Sequence, residues 1–228
     1  MPRRNGAPPL WLWFRETLEI PGLLASPLLP AVPIPAGRGQ PVIVLPGYLT
    51  TDLSSIRLRR SLRAAGYEVQ GWQLGRNWGG RARLLEALVA RISVLHRQYG
   101  EKVIMVGWSL GGLYAREAAK LVPDQVAMVV TLGSPFSGNP RANNAWRIYE
   151  FLNNHRVDNP PIGSDLRAKP PVQTVAMWSP RDGIIAPEAA RGAPGESDLQ
   201  VEVHCQHFNF ARAPAGIRAI GQVLADYG

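Results

Sequence analysis

Gly107-Trp108-Ser109-Leu110-Gly111 is a stretch whose residue types and spacing could do chemistry. Lys102–Val106 (KVIMV) before it is apolar and β-branched, as expected of a buried strand. The segment from about Leu110 to Leu121 after it has helical spacing. Spacing alone is a weak signal, since an ordinary strand–turn–helix or a phosphate loop also carries glycines. Neither G-x-x-x-x-G-K-[ST] nor G-x-G-x-x-G is present. A serine on a crowded turn between strand and helix projects its hydroxyl above the C-terminal edge of a sheet. The positive N-terminal end of the helix favours negative charge developing there. Ser109 is therefore the candidate nucleophile.

A serine hydroxyl needs a base to take its proton. The chain has four histidines. His96 lies mid-helix among polar neighbours, and His155 lies in an irregular stretch. His204 and His207 follow a short apolar strand, in His-Cys-Gln-His-Phe-Asn-Phe. His204 ends the strand, whereas His207 lies in the loop before the closing helix, where catalytic groups gather in such sheets. His207 is favoured as base, with His204 as its rival. The base in turn needs a carboxylate to fix its tautomer. Asp182, in Trp178-Ser179-Pro180-Arg181-Asp182-Gly183, directly follows a buried strand. Asp-Gly is also a common turn pair, and Asp198 and Asp158 are the rivals. Asp198 would fall at the start of a strand, at the wrong end of the sheet. The chain order Ser109, Asp182, His207 matches Ser…Asp…His of one hydrolase class.

Acyl transfer also needs donors for an oxyanion. The N–H of Leu110 is one candidate. Tyr48 is the other, in Leu45-Pro46-Gly47-Tyr48, where Gly47 is expected to allow an unusual backbone angle. Arg76 and Asn77 lie in a further loop on the same edge. Trp108, Phe136, Trp146 and Tyr149 are the candidate substrate-pocket residues. No metal site is expected, because the histidines lack helical i, i+4 pairing and Cys205 is the sole cysteine. No cofactor is implied.

The elements that must position these residues alternate along the chain. Strands are expected at Pro41–Leu45, Tyr67–Trp72, Lys102–Val106, Val126–Leu132, Val172–Trp178 and Leu199–Val203. Helices are expected at Ser54–Ala65, Arg81–Gln98, Leu110–Leu121 and Pro214–Tyr227. Such alternation gives right-handed βαβ units, hence an α/β fold with a mostly parallel central sheet and helices on both faces. One domain, residues 41–228, is the simplest reading. Residues 1–40 form an aromatic and proline-rich arm, expected to pack on that domain or to contact a membrane. Residues 136–171 form an insertion expected to act as a small lid or pocket wall, with a helix over Ala142–Asn154.

Composition narrows the class. With 46% hydrophobic residues the chain is not globally disordered. Its 23 glycines and 21 prolines must therefore sit inside a folded protein. The net charge of +8 could suit nucleic acid, an anionic membrane or a basic soluble protein. The densest basic run, Arg57, Arg59, Arg60 and Arg63, reads as a solvated helix face. No helix-turn-helix, RNA-recognition or zinc-finger pattern accompanies it, so no nucleic acid is expected. The single cysteine fits a reducing compartment. A cytoplasmic location, with peripheral membrane contact through the arm, is the expectation. No convincing signal peptide or transmembrane helix is seen, because prolines interrupt the uncharged run Ile20–Gly37. The oligomeric state is not legible.

These motifs together resemble the α/β-hydrolase superfamily, specifically small bacterial lipases and esterases. VIVLPGY resembles the oxyanion strand and loop, VGWSLGG the nucleophile elbow, and TLGSPFSG the strand that follows. SPRDGIIAP resembles the acid turn, and HCQHFNFARAP the histidine loop. The resemblance implies a single-domain α/β-hydrolase fold and a serine carboxylic-ester hydrolase acting on a small-molecule or lipid ester. It implies Ser109 as nucleophile, Asp182 as acid, His207 as base, and Tyr48 and Leu110 as oxyanion donors. Two positions depart from the pattern. Pro46-Gly47 stands where His-Gly is common, and Trp108 where His is frequent. An acyltransferase, thioesterase or amidase would use the same triad, and a non-catalytic binding scaffold is the remaining alternative.

Overall fold

The computed structural model describes residues 6–146, 149–150 and 165–228. Six strands form one sheet among these residues: β1 (Pro41–Leu45), β2 (Glu68–Gly71), β3 (Val103–Trp108), β4 (Val126–Leu132), β5 (Gln173–Trp178) and β6 (Leu199–Glu202). Their order is β2-β1-β3-β4-β5-β6, and every pair is parallel. The described helices are α1 (Leu10–Thr17), α2 (Ile20–Ala25), α3 (Ile56–Ala64), α4 (Ala82–Tyr99), α5 (Leu110–Leu121), α6 (Pro187–Arg191) and α7 (Pro214–Tyr227).

Side chains alternate across the strands, so each strand feeds two cores. On one face Val42, Val44, Ile104, Val106, Met128 and Val130 pack with Leu58 and Leu62 of α3 and Ile217 and Ile220 of α7. On the other, Ile43, Leu45, Met105 and Val129 pack with Leu88 and Ile92 of α4 and Tyr114 and Ala118 of α5. Burial on both sides explains why the central strands read as unbroken apolar runs. Each fully buried Leu, Ile or Val contributes about 1.5–3 kcal/mol. One helix ends on a clear sequence signal. Gly100 closes α4 with φ 69°, its N–H returning to the His96 carbonyl.

The chain direction across the sheet reverses between β1 and β3. In open parallel sheets the crevice at such a switch point, beyond the strand C-termini, receives ligands. β1 delivers Pro46–Tyr48 there and β3 delivers Ser109.

Several local expectations are corrected. β3 runs to Trp108, which pairs with Leu132, so Ser109 follows the strand directly. β2 stops at Gly71 because the N–H groups of Trp72 and Gln73 donate to the Asp52 carboxylate, each at 3.0 Å, rather than to the sheet. Helical backbone in the insertion begins at Trp146, not Ala142, and much of the expected helix lies outside the described residues. His155 and Asp158 lie there too.

The arginine run is more than a solvated face: Arg63 is exposed and the others half-buried, and all four are tied to backbone carbonyls. Arg57 donates to the Pro30 carbonyl at 2.9 Å and to the Arg212 carbonyl at 2.7 Å. Arg60 donates to the carbonyls of Leu29 and Pro27 at 2.7 and 3.0 Å. Arg59 and Arg63 likewise donate to the carbonyls of Asp52 and Val69. The proline-rich part of the arm joins no strand, so its carbonyls need donors from elsewhere. Arg57 and Arg60 of α3 supply them.

Candidate active site

Ser109 has φ 53° and ψ −120°, a left-handed backbone unusual for a residue with a side chain. Its N–H donates to the Leu132 carbonyl at the end of β4 (2.8 Å), and its carbonyl accepts from Gly112 (3.0 Å). The turn is possible only because the chain nearly touches itself. A Cβ on Gly107 would lie 2.5 Å from the Gly111 carbonyl oxygen and the Gly112 nitrogen. A Cβ on Gly111 would lie 2.6 Å from the Leu45 carbonyl oxygen. The serine thus stands at the meeting of β1, β3 and α5, with Leu110 as the first residue of α5. The Leu110 N–H has no carbonyl partner within that helix.

The loop after β1 is held from outside. Asn77 is fully buried; its side-chain amide donates to the Pro46 carbonyl (2.9 Å). Its backbone carbonyl accepts from Leu49 (2.7 Å), and its N–H donates to Thr50 (2.9 Å). Arg76 donates to the Leu49 carbonyl at 2.8 Å. These two residues position the loop that carries Tyr48. The left-handed residue of the loop is Leu49, with φ 59°, and not Gly47 as expected. Gly47 matters for room instead: a Cβ there would come within 3.0 Å of the Trp108 ring.

Asp182 and His207 are both buried and meet at 2.7 Å, imidazole Nδ1 to Asp182 Oδ2. The other oxygen, Oδ1, accepts from the N–H groups of Ile184 and Ile185, each at 2.8 Å. With both its oxygens accepting, the carboxylate draws the ring proton to Nδ1 and leaves Nε2 as the lone-pair nitrogen. Burial by itself lowers the His207 pKa, but the charge of Asp182, its hydrogen bond and the charge of Glu16 outweigh it, so the net shift is upward. Ser179 ties the two loops together, its hydroxyl donating to the Cys205 carbonyl at 2.6 Å. Cys205 is buried, and burial pushes its thiol pKa well up, with Asp182 and Glu16 adding to the rise. It is a poor rival nucleophile.

Ser109 and the Asp182–His207 pair are linked through residues that flank the serine or hold its turn. Trp108 donates from Nε1 to the His207 carbonyl at 3.1 Å, and its ring lies 5.6 Å from the imidazole. A Cβ on Gly133, the residue after Leu132, would lie 2.9 Å from Asp182 Oδ2 and 3.1 Å from His207 Nδ1. No hydrogen bond joins Ser109 Oγ to His207 among the described residues. Such contacts are commonly long in the free enzyme and tighten around substrate.

The rivals lie elsewhere. His204 is exposed and pairs with Glu202 at 3.1 Å. Asp198 sits before β6 and pairs with Lys169 at 2.9 Å. Of the pocket candidates, Tyr149 lies beside the loop after β1, its ring 5.2 Å from that of Tyr48 and its hydroxyl accepting from the Gly80 N–H (2.9 Å). The Trp146 ring has Arg141 over it at 5.3 Å. Phe136 is 2% exposed, under the Arg116 guanidinium at 4.1 Å. Trp108 is buried too, among Gly47, His207 and Phe208.

Sequence reasoning missed one residue altogether. Glu16 of α1 is fully buried. Its Oε1 accepts from the N–H groups of Gly183 (2.9 Å) and His207 (2.7 Å), and its Oε2 from Phe208 (3.3 Å). Burial raises its pKa, against the pull of His207 and the backbone donors. No local pattern marks it, since α1 turns Trp11 and Phe14 outward and this acid inward.

Comparison with known proteins gives a consistent picture. A triacylglycerol lipase of Burkholderia plantarii is 31% identical over 132 residues, covering 53% of this chain. The chain matches 36% of that lipase's length. A monoacylglycerol lipase structure from Paleococcus ferrophilus superposes with a TM-score of 0.58 at 19% identity, covering 83% of this chain and 97% of the other. The RedJ thioesterase of the prodiginine pathway in Streptomyces coelicolor gives 0.56 at 19% identity, covering 88% and 96%. Identities this low speak for the fold alone. Residues 69–184, from β2 through the acid turn, match the PGAP1-like alpha/beta domain. With that match and this sheet, the chain belongs to the PGAP1-like alpha/beta domain family of the α/β-hydrolase superfamily.

Proposed function

We propose that the protein is a serine carboxylic-ester hydrolase. The observation that carries this reading is the buried Asp182–His207 pair at 2.7 Å on the rim where Ser109 stands at φ 53°. In the reaction, Ser109 Oγ attacks the ester carbonyl while His207 Nε2 takes its proton. The tetrahedral oxyanion rests on the N–H groups of Tyr48 and Leu110. His207 then protonates the departing alcohol. Water, deprotonated by the same nitrogen, attacks the acyl-enzyme and releases the acid, which restores Ser109. Asp182 holds the imidazole and stabilises its charged form throughout.

A lipid ester is the substrate class this reading favours. The relative from Burkholderia plantarii bears the name triacylglycerol lipase. The outer face of α1 and the residue that follows it support it as well, presenting Leu10, Trp11, Phe14 and Leu18 to solvent, each more than half exposed. That helix touches both catalytic loops through Glu16, so an anionic lipid surface meeting the apolar face would lie beside the site. The net charge of +8 suits such a surface. Among the described residues, no helix is long and apolar enough to cross a membrane. Co-sedimentation with anionic liposomes, comparing the full chain with Trp11→Ser/Phe14→Ser, tests the contact; equal pelleting would contradict it.

The activity itself is tested on a p-nitrophenyl ester series of increasing acyl length. Ser109→Ala is expected to lower kcat by roughly 10⁴–10⁶-fold. Equal rates in the two proteins would end the proposal. Parallel thioester and amide substrates separate an esterase from a thioesterase or amidase.

A further inference from the structure

The N-terminal arm reaches the chemistry. α1 lies across the outside of the two catalytic loops, and one of its two buried residues is an acid. Burying an ion costs several kcal/mol unless its partners compensate, and a well-packed apolar side chain is often as stable or more so. Packing alone therefore does not call for a carboxylate here. What Glu16 does that an apolar residue could not is accept three N–H groups, one from Gly183 beside the acid and two from His207 and Phe208 in the base loop. All three contacts come from donors, which is the pattern of an ionised carboxylate. The seat is cut to fit, because a Cβ on Gly183 would lie 2.5 Å from the Leu12 carbonyl carbon and 2.8 Å from Glu16 Cγ.

We propose that Glu16 is a positioning residue for the acid–base pair, holding the acid turn and the histidine loop in register and adding a second negative charge beside the imidazolium that forms during turnover. The inference rests on the hydrolase reading above. The titratable groups facing this centre are Asp182 from the acid turn, His207 and Cys205 from the histidine loop, and Glu16 from the arm. Asp182 and Glu16 both favour the charged imidazole. Cys205 stays a neutral thiol, since burial pushes its pKa up. Loss of the Glu16 charge thus lowers the pKa of His207 and weakens it as a base.

The test is the pH profile of ester hydrolysis by the full chain, as wild type, Glu16→Gln and Glu16→Asp. Glu16→Gln keeps the size and one acceptor oxygen but removes the charge. The expected result is roughly ten-fold lower kcat with KM within about two-fold, which marks an effect on the transition state. The acid limb of kcat/KM is expected to move to lower pH. Glu16→Asp keeps the charge but is too short for all three donors, so its limb should stay nearer that of wild type while kcat falls. A Glu16→Gln protein with wild-type kcat and an unmoved limb would make Glu16 a packing residue and overturn the proposal. So would a Glu16→Gln protein that fails to fold beside a Glu16→Asp protein with wild-type kcat and limb. A wild type that hydrolyses no ester sinks the reading of the site itself, whereas active wild type with an indifferent Glu16→Gln sinks this inference alone.

Discussion

The two halves of the site are held by different means. On the nucleophile side the main chain does the work. Ser109 is fixed by the Leu132 carbonyl and by glycines that leave no room for a Cβ between β1, β3 and α5. On the acid–base side, side-chain hydrogen bonds do it: Ile184 and Ile185 donate to Asp182 within the acid turn, Ser179 donates to Cys205 across to the histidine loop, and both loops donate to Glu16 of the arm. The difference matches the chemistry. A nucleophile must be placed once and kept there. A pair that changes charge during turnover needs donors and acceptors that suit both of its states.

The contrast can be broken most severely at the acid. Asp182→Asn keeps the shape but no longer forces the ring proton to Nδ1, and kcat should fall by about 10⁴-fold while the protein stays folded. A loss of only a few-fold, read by initial rates on a soluble ester, would mean another group orients His207. On the nucleophile side the same kind of small change should damage folding instead. Gly107→Ala puts a methyl group 2.5 Å from backbone atoms of Gly111 and Gly112, which cannot turn aside as a side chain would. The expected cost is about 3 kcal/mol of unfolding free energy in urea denaturation. A variant with the wild-type midpoint would show that the elbow is looser than drawn. The smallest effect is a displacement rather than a loss. In the proposed mechanism His207 is a base only when neutral, and its pKa is raised. Activity should therefore disappear as pH falls through a midpoint above the ordinary histidine value of about 6.5. A midpoint below that value in kcat/KM would contradict the charge arrangement around the ring.

The same division separates what the sequence discloses from what it hides. Strands β1 and β4, and helices α5 and α7, are legible to the residue because local patterning sets them: unbroken apolar runs for buried strands, proline at the start of α7. Ser109, Asp182 and His207 are legible as candidates because each follows a strand of the sheet. Glu16 is not, since its partners Gly183 and His207 lie 167 and 191 residues away. The arginines of α3 mislead for a similar reason. Their spacing is that of a solvated face, and only the folded chain shows carbonyls waiting for them, those of the arm for Arg57 and Arg60. Gly47 and Gly183 are visible as glycines, but the sequence suggests turn angles where the structure needs space.

The most direct test of the account is covalent capture of the nucleophile. The full chain is treated with a fluorophosphonate at neutral pH, digested, and the adduct located by peptide mass spectrometry. The account predicts stoichiometric labelling on the peptide carrying Gly107-Trp108-Ser109-Leu110-Gly111, with none in Ser109→Ala and strongly slowed labelling in Asp182→Asn. An adduct on another residue, or no adduct in a protein that hydrolyses esters, would contradict it.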